Sequence, residues 1–317
     1  MGQYILRRII QMIPVVLLVV VTVFIVMHML PGDPILALTG SSSEGLSPEV
    51  IAEMRQQLGL DDPIYVQFGH WFAGILQGNF GKSTRLNIPV SEIVLDRIPV
   101  TLQLSGFGFI IGAIIGVGAG IIAAIRRNTW ADIIVTLVSM MGIAMPSFWL
   151  AILGIWLFAV SLGWLPSSGY VSILSDPVQG IRYMILPAIT LGLSLSASVM
   201  RQTRSSLLEV LNQDYVRTAR AKGLAELKVI GWHALKNALL PVVTVMGLQL
   251  GRLLGGTVIT ETMFSIPGLG RLAVQSIMMR DYPSLQAVVL LMAVAVLVIN
   301  LLTDLFYTYL DPRVSYR

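Results

Sequence analysis

The residues that could carry out chemistry in this chain are few and lie far apart. There is no cysteine among the 317 residues, which excludes thiolate nucleophiles, disulfides and cysteine-ligated metals. The three histidines, His28, His70 and His233, are too dispersed to form a zinc site or a catalytic triad. Neither Gly-x-Ser-x-Gly nor His-Glu-x-x-His occurs. The sequence therefore predicts no catalytic residue and no metal site in this chain.

Two glycine-containing segments match nucleotide-binding motifs only in part. Gly81-Lys82-Ser83 lacks the P-loop glycine five positions before Gly81, where Leu76 stands. Gly268-Leu269-Gly270 begins like a dinucleotide fingerprint, but no strand is predicted before it. We interpret both segments as chance matches.

Arg252 is the one charged residue well inside a long apolar run. At about 100° per helical residue, it shares a face with Gln249, Gly256 and Thr260. An arginine at this depth is costly, so such a face suits a water-filled path in which Arg252 binds a carboxylate or carbonyl. The alternatives are an ion pair with Glu261 or with a carboxylate on another helix, or a side chain that snorkels to the surface.

The composition indicates that lipid surrounds the elements that hold these residues. Hydrophobic types make up 55% of the chain and charged types 12%, against about 25% charged in typical soluble domains. So few charges could not cover a soluble domain of this size. The net charge of +4 is too small to indicate nucleic acid as a partner. We therefore predict an all-α membrane protein.

Six apolar runs are long enough to cross a bilayer, which takes about 20 helical residues. Their predicted bounds are 9–30, 100–125, 133–162, 185–204, 238–260 and 285–309. The third run contains Met145-Pro146-Ser147, so it could be one kinked span or two half-helices; we interpret it as one span. Between the spans lie outer loops at 31–99 and 261–284 and an inner loop at 205–237. Residues 1–8 form the N-terminal segment.

The basic residues favour one orientation of these spans. With both termini cytoplasmic, thirteen of the 21 Lys and Arg residues fall on inner segments and seven on outer segments. This excess agrees with the positive-inside rule. Splitting the third run into two crossings would invert every later segment and remove the excess.

Two helices carry glycines at a spacing of four residues, which aligns them on one helix face. Such stripes let two membrane helices approach closely. We predict a packing role for both stripes, within this chain or against a second subunit. The stripes are Gly108, Gly112, Gly116 and Gly120 in the second span, and Gly247, Gly251 and Gly255 in the fifth.

Two loops carry predicted helices. In the outer loop, Ser47, Pro48 and Gly59 have the types expected at the ends of a short helix over 48–59. In the inner loop, a basic, alanine-containing segment ends at Gly223, and a second short helix is predicted over 225–233. From charge alone, this inner unit is either a docking element or a solvated loop that touches anionic lipid.

Ordered motifs along the whole chain resemble one family, the inner-membrane permease subunits of ATP-binding cassette importers. The similarity is to the dipeptide, oligopeptide, nickel and glutathione group, most of all to a dipeptide or oligopeptide permease B subunit. The segments that carry it are His28-Met29-Leu30-Pro31-Gly32-Asp33-Pro34, Leu58-Gly59-Leu60-Asp61-Asp62-Pro63, Gln77-Gly78-Asn79-Phe80-Gly81, Asp214-Tyr215-Val216-Arg217-Thr218-Ala219-Arg220-Ala221-Lys222-Gly223-Leu224, His233-Ala234-Leu235-Lys236-Asn237-Ala238-Leu239-Leu240-Pro241, Pro267-Gly268-Leu269-Gly270-Arg271, Arg280-Asp281-Tyr282-Pro283 and Leu310-Asp311-Pro312-Arg313.

The resemblance implies a type I importer permease fold, with one permease domain over about 94–305, in the bacterial inner membrane. It implies that a homologous second permease completes the pore, that two ATPase subunits bind ATP and Mg, and that an extracytoplasmic binding protein delivers substrate. The expected cargo is a di- or oligopeptide; the alternatives are glutathione or nickel complexes. An ion-driven secondary carrier is disfavoured because the spans offer no central carboxylate. No cofactor is expected in this chain.

The resemblance also assigns a role to the inner loop, as a coupling helix that docks on an ATPase subunit. The residues concerned are Arg217, Thr218, Ala219, Arg220, Ala221, Lys222, Gly223 and Leu224. The sequence departs from the general permease pattern, because Arg217-Thr218-Ala219 stands where Glu-Ala-Ala is usual. A simple acidic contact at position 217 is therefore not expected.

Overall fold

The computed structural model describes residues 2–29 and 61–310, together with Val50, Glu53 and Gln56. Those three isolated residues are helical and fall in the helix predicted over 48–59. The rest of that helix, the motif at Pro31-Gly32-Asp33-Pro34, residues 58–60 and the segment after 310 lie outside the described residues.

Within the described residues the chain is almost entirely helical, as predicted. The one extended pairing there is an isolated bridge between Lys82 and Pro89. The helices are α1 (Gly2–Met29), α2 (Ile64–Leu76), α3 (Val90–Ile125), α4 (Trp130–Ala144), α5 (Ser147–Gly154), α6 (Pro177–Leu211), α7 (Asp214–Ala221), α8 (Glu226–Lys228), α9 (Leu235–Met263), α10 (Leu269–Met279) and α11 (Tyr282–Leu310). A wider turn, Ile155–Ser161, extends α5, and another, Val229–Ala234, joins α8 to α9.

Five described helices are long and apolar enough to cross a membrane, and a sixth crossing results if α4 and α5 count together. Among them, α3 and α6 begin well before the predicted spans. The first turns of α3 lie in a hydrophobic cluster in which Val90 and Val94 pack with Leu269 and Val288. At α6, Pro177 takes the first helical position and the Asp176 carboxylate accepts a hydrogen bond from the Gln179 N–H. Packing and capping therefore extend these helices beyond their apolar runs.

The core of the fold is a close, parallel pair formed by α3 and α6. A methyl group on Gly120 would lie 2.5 Å from Thr203 Cβ, so only glycine permits this approach. Positions facing each other advance in the same direction along both helices: Gly108 faces Leu191, Gly112 faces Gly192 and Leu195, Gly116 faces Ser196 and Val199, and Gly120 faces Met200 and Thr203. The first glycine stripe therefore packs within this chain.

The segment between these parallel helices carries the chain back along α6. Its first turn contacts the end of α6 through Asp132 and Arg204, and Gly154 faces Leu186 near the start of α6. The predicted third span is thus two helices bent by 107° at Pro146, which removes a backbone donor and interrupts the helix. Together the two helices traverse the length of the bundle once, which favours counting them as one crossing.

The remaining long helices alternate in direction. Antiparallel packing brings Gly247 of α9 against Thr303 of α11 and Gly251 against Asn300. Arg8 of α1 forms an ion pair with Asp304 of α11. The start of α1, the ends of α6 and α11, and α7 therefore share one end of the bundle, which we call the α7 end. The opposite end, with α2 and α10, is the α10 end.

Candidate functional site

The predicted coupling segment folds as a short helix fixed to the end of α6. After α6 ends at Leu211, α7 begins at Asp214 and buries one face. Val216 is fully buried and Ala219 nearly so, and both pack with Val229. Partly buried Val210, Leu211 and Leu224 complete this cluster. Apolar contacts therefore hold this helix against the rest of the protein.

The opposite face of α7 is available to a partner. Gly223 ends the unit with φ of +74°, a conformation that suits glycine and turns the chain towards α8. Of the predicted coupling residues, Ala219 is buried and Leu224 is half-buried. The other six are exposed: Arg217, Thr218, Arg220, Ala221, Lys222 and Gly223.

Polar contacts hold the turn after α7. The Arg220 guanidinium donates to the Glu226 carboxylate, with a shortest N to O distance of 2.7 Å, and this bond raises the pKa of Arg220. The Asn237 side-chain amide donates to the Tyr215 hydroxyl over 2.8 Å, joining α7 to α9. Arg217 lies 3.5 Å from Asp214, but both side chains are largely exposed, so this pair adds little stability.

Two apolar residues near α7 were not singled out in the sequence. Leu227 is 88% exposed and Trp232 is 78% exposed. Large apolar side chains within a polar, basic loop are the signal that could have identified them. They widen the accessible surface of this region beyond residues 217–224.

A partly buried ion pair joins α4 to the end of α6, from which α7 follows. The Asp132 carboxylate accepts hydrogen bonds of 2.7 and 2.8 Å from the Arg204 guanidinium and a third from the Asn128 N–H. Asp132 lies in the first turn of α4, and Arg204 lies two turns before the end of α6. The bidentate geometry locks these helices together beside α7.

The face predicted to line a path around Arg252 is divided in the structure. Arg252 is exposed, and the described residues contain no carboxylate in an ion pair with it. Gly256 packs near Leu191, and Thr260 is 1% exposed and donates to the Gly256 carbonyl. Gln249 is half-buried. Contacts with α6 thus cover part of the predicted face.

Arg252 instead belongs to an exposed stripe along α9, which we call the α9 stripe. It consists of Leu248, Arg252, Gly255 and Ile259, whose spacing of three or four residues places them on one face. Gly255 has no neighbour that a methyl group would meet within 4 Å. Unlike Gly247 and Gly251, it does not pack against another described helix, so its predicted packing role has no support within this chain.

Glu261, the alternative partner considered for Arg252, is engaged elsewhere. Its fully buried carboxylate accepts a 2.7 Å hydrogen bond from the Thr101 hydroxyl and a 2.9 Å bond from the Arg271 N–H. It therefore caps the N-terminal turn of α10 and ties α9, α10 and α3 together. A side chain on Gly268 would collide with this carboxylate, which explains the glycine in the Pro267-Gly268-Leu269 segment.

Asp281 is a second buried carboxylate, and it holds the outer loop by accepting hydrogen bonds from it. Its carboxylate accepts hydrogen bonds from the Ser83 and Ser284 hydroxyls, at 2.5 and 2.7 Å, and from the Thr84 N–H. Asp281 is 6% exposed. The segment containing Gly81-Lys82-Ser83 is thus a structural tether between the outer loop and α11, consistent with its interpretation as a chance match to a P-loop.

Two protein families match this chain. The family described as "Binding-protein-dependent transport system inner membrane component" matches residues 116–316. Its N-terminal companion, "Binding-prot-dependent transport system membrane comp, N-term", matches residues 1–105. The first match covers α4 to α11, including α7.

Full-length relatives agree with these matches. A putative peptide transport system permease protein of Brucella suis is 44% identical over 316 residues, and the dipeptide transport system permease protein DppB of Alkalihalophilus pseudofirmus is 42% identical over 336. The glutathione transport system permease protein GsiC of Salmonella typhimurium is 44% identical over 317 residues. Each alignment covers 100% of both chains.

Solved structures share the fold at low sequence identity. The MetNI methionine ABC transporter in an inward-facing conformation matches with a TM-score of 0.58 and 18% identity, over 69% of this chain and 96% of that one. An amino acid ABC transporter matches with a TM-score of 0.51 and 15% identity, over 69% and 94%. The fold is therefore that of a type I importer permease. The chain belongs to the inner membrane component family of binding-protein-dependent transport systems, as a multi-pass protein of the bacterial inner membrane.

Proposed function

We propose that this chain forms half of the pore of an ATP-driven importer for di- or oligopeptides and couples to its ATPase subunits through residues 214–233. The observation that carries the proposal is the structure of α7, a helix anchored by Val216 and Ala219 with a basic face left exposed. The names of the peptide and dipeptide permease relatives support the cargo. The glutathione permease relative makes glutathione the second candidate, and nickel complexes stay an alternative from the family resemblance.

The proposed orientation puts the α7 end, with both termini, in the cytoplasm. Supporting it, the described part of that end carries Arg7, Arg8, Arg126, Arg127, Arg217, Arg220 and Lys222. A concentration of basic residues favours the cytoplasmic side of a membrane. The exposed face of α7 would then meet subunits that bind ATP and Mg in the cytoplasm, and these partners would hydrolyse the ATP.

Consecutive helical segments connect this docking face to the far end of the bundle. Together α8, the wider turn at Val229–Ala234 and α9 cover 38 residues, Glu226–Met263, and α9 alone, with 29 residues, is about 44 Å long, more than the hydrocarbon thickness. At one end Val216 and Ala219 of α7 pack on Val229, and at the other Glu261 caps α10. Movement of α7 by the ATPases would therefore tilt α9 and carry α10 with it. ATP and the loaded binding protein would each bias one of two bundle arrangements.

The α9 stripe is the face we assign to the pore, where a homologous permease would form the other half. Leu248 and Ile259 are exposed apolar residues on either side of Arg252, and Gly255 leaves open space beside it. An exposed arginine at the middle of a long membrane helix is stable only beside water, an anion or another polar chain. We assign Arg252 to a carboxylate or carbonyl of the passing peptide. Gln249 lies one residue from the stripe and would contribute at its edge.

Reconstitution in vesicles tests this function against the secondary-carrier alternative. The chain is assembled with its second permease and two ATPase subunits, and the binding protein is added with a labelled dipeptide or with glutathione. The proposal expects uptake that requires ATP, the ATPases and the binding protein. Uptake by this chain alone, driven by an ion gradient without ATP, would reject it. Binding-protein-dependent uptake of glutathione but not of dipeptides would reject only the peptide assignment.

A further inference from the structure

The helix α2 lies in the loop predicted to be wholly outside the membrane, yet its composition is that of a membrane segment. Its 13 residues, Ile64–Leu76, include no Asp, Glu, Lys or Arg, and none of its side chains is buried in the described structure. Thirteen residues span about 20 Å, too short to cross a bilayer. Apart from Gln67 and the exposed His70 its residues are apolar, aromatic or glycine, and leaving them uncovered in water would be unfavourable.

Contacts with α1 give the depth of α2. The ring centroids of Phe68 and Trp71 lie 5.2 and 5.5 Å from that of Phe24, and His28 Nε2 lies 3.3 Å from the Gln67 side-chain oxygen. Phe24 and His28 both belong to the apolar stretch Leu6–Met29, which is long enough to cross a membrane.

The helical rise along α1 gives the depth of these contacts in the bilayer. Arg8, in its ion pair with Asp304, marks the polar edge at the α7 end. Phe24 lies sixteen residues further on, about 24 Å at 1.5 Å per residue, whereas the hydrocarbon is about 30 Å thick. Tilting α1 would place Phe24 deeper still. The centre of α2 therefore lies at or just inside the far edge of the hydrocarbon.

One face of α2 has no partner within the described residues. Tyr65 is 74% exposed and Leu76 is 72% exposed, and Ala73 between them is also exposed. This face adjoins α1, whose exposed apolar side chains include Val21 and Ile25. Charged Asp61 and Asp62 lie just before the helix and Asn79 just after it. Polar ends and an uncharged centre fit a helix at the boundary of a bilayer.

We propose that α2 is an interfacial helix whose Tyr65, Ala73 and Leu76 face lies against the acyl chains and headgroups of the leaflet at the α10 end. Phe68 and Trp71 fasten it to α1 through aromatic contacts. Phospholipid, and not a soluble partner, covers this face. The helix fixes the position of the outer loop at the membrane surface. It thereby also sets the distance of the Ser83–Asp281 contact from the bilayer. This assignment depends on neither the cargo nor the orientation proposed above.

The absence of cysteine makes a direct depth measurement possible. Single cysteines at Tyr65 and Leu76 are spin-labelled in the full transporter assembled in phospholipid nanodiscs, and collision with oxygen and with a water-soluble nickel chelate is measured. Ile25→Cys is the control for lipid exposure, and Asp62→Cys and Asn79→Cys are the controls for water exposure. We expect an oxygen-to-nickel accessibility ratio at positions 65 and 76 several-fold above that at position 62 and close to that at position 25.

Two results would overturn the proposal. Nickel accessibility at positions 65 and 76 equal to that at position 62 would place α2 in water. Protection of both positions from oxygen as well as nickel would show that protein, and not lipid, covers the face. If the Tyr65→Cys chain fails to assemble, Ala73→Cys reports on the same face with a smaller change in volume.

Discussion

The carboxylate of Asp132 and the guanidinium of Arg204 meet in a bidentate pair, with N to O distances of 2.7 and 2.8 Å. The Asp132 side chain is 6% exposed and that of Arg204 is 31% exposed. The pair joins the first turn of α4 to the last turns of α6, and α6 continues directly into the base of α7. The pair therefore ties the start of α4 to the part of α6 that precedes α7.

Removing one member of this pair should destabilise the α7 end. Asp132→Ala leaves a partly buried guanidinium without its hydrogen bonds, which costs about 1–3 kcal/mol. We expect a lower thermal unfolding midpoint for the purified chain, whereas Asp214→Ala, which removes the exposed partner of Arg217, should leave it unchanged. Equal effects of the two substitutions would show that the buried pair has no special role.

The parallel contact between α3 and α6 should tolerate no added atoms. Gly120→Ala would put a methyl group 2.5 Å from Thr203 Cβ and 2.8 Å from the Met200 carbonyl oxygen. Such overpacking costs about 1–3 kcal/mol. Gly118 lies on the same helix with open space around it, so Gly118→Ala should be neutral or stabilise the helix by up to about 1 kcal/mol. Thermal unfolding of the two variants in the same detergent separates these outcomes; equal midpoints would contradict the close approach.

Loss of the Glu261 carboxylate should release α10. Glu261→Ala leaves the Thr101 hydroxyl and the Arg271 N–H without their acceptor, which costs about 1–3 kcal/mol. Tryptic cleavage at Arg271 or Arg280 should become faster than in the wild-type chain. Thr262→Ala is the control, because Thr262 is exposed and donates only to the Val258 carbonyl of its own helix. Unchanged cleavage in Glu261→Ala would mean that α10 is held by its apolar contacts alone.

A charge-neutral substitution of Arg252 should alter selectivity more than assembly. In the reconstituted transporter, Arg252→Gln should lower uptake of a dipeptide with a free carboxylate about tenfold or more, since a hydrogen bond to a charged group contributes about 1.5–3 kcal/mol. Uptake of the matching dipeptide amide should change much less. An assembled Arg252→Gln transporter with wild-type rates for both peptides would remove Arg252 from the path.

The sequence predicted the helical membrane class and a short helix that ends near Gly223, because these depend on local composition and on helix-ending residues. It could not predict that the third run bends by 107°, since proline permits many bend angles and neighbouring helices select one. The partners of the glycine stripes were likewise hidden, because spacing defines a face but does not say which helix covers it.

For the candidate path, too, the sequence defines a helix face but not its neighbours. Helical periodicity predicted that Gln249, Arg252, Gly256 and Thr260 share one face, but only tertiary packing shows that Leu191 lies against Gly256 and that Thr260 is buried. Its place in the sequence indicated Glu261 only as a possible partner of Arg252. Its real contacts come from α3 and from the start of α10, and Thr101 lies 160 residues away in the chain. Contacts at such separation carry no local sequence signal.

The central claim, that α7 transmits the action of ATP, is tested most directly by binding-protein-stimulated ATPase activity of the reconstituted transporter carrying Gly223→Pro. Proline fixes φ near −65°, whereas Gly223 has +74°, so the turn from α7 to α8 cannot form. Gly118→Ala, at a position with open space outside residues 214–233, is the control. We predict that stimulation and uptake are lost in Gly223→Pro while membrane insertion and the control stay intact. Full stimulation in the Gly223→Pro transporter would contradict the account.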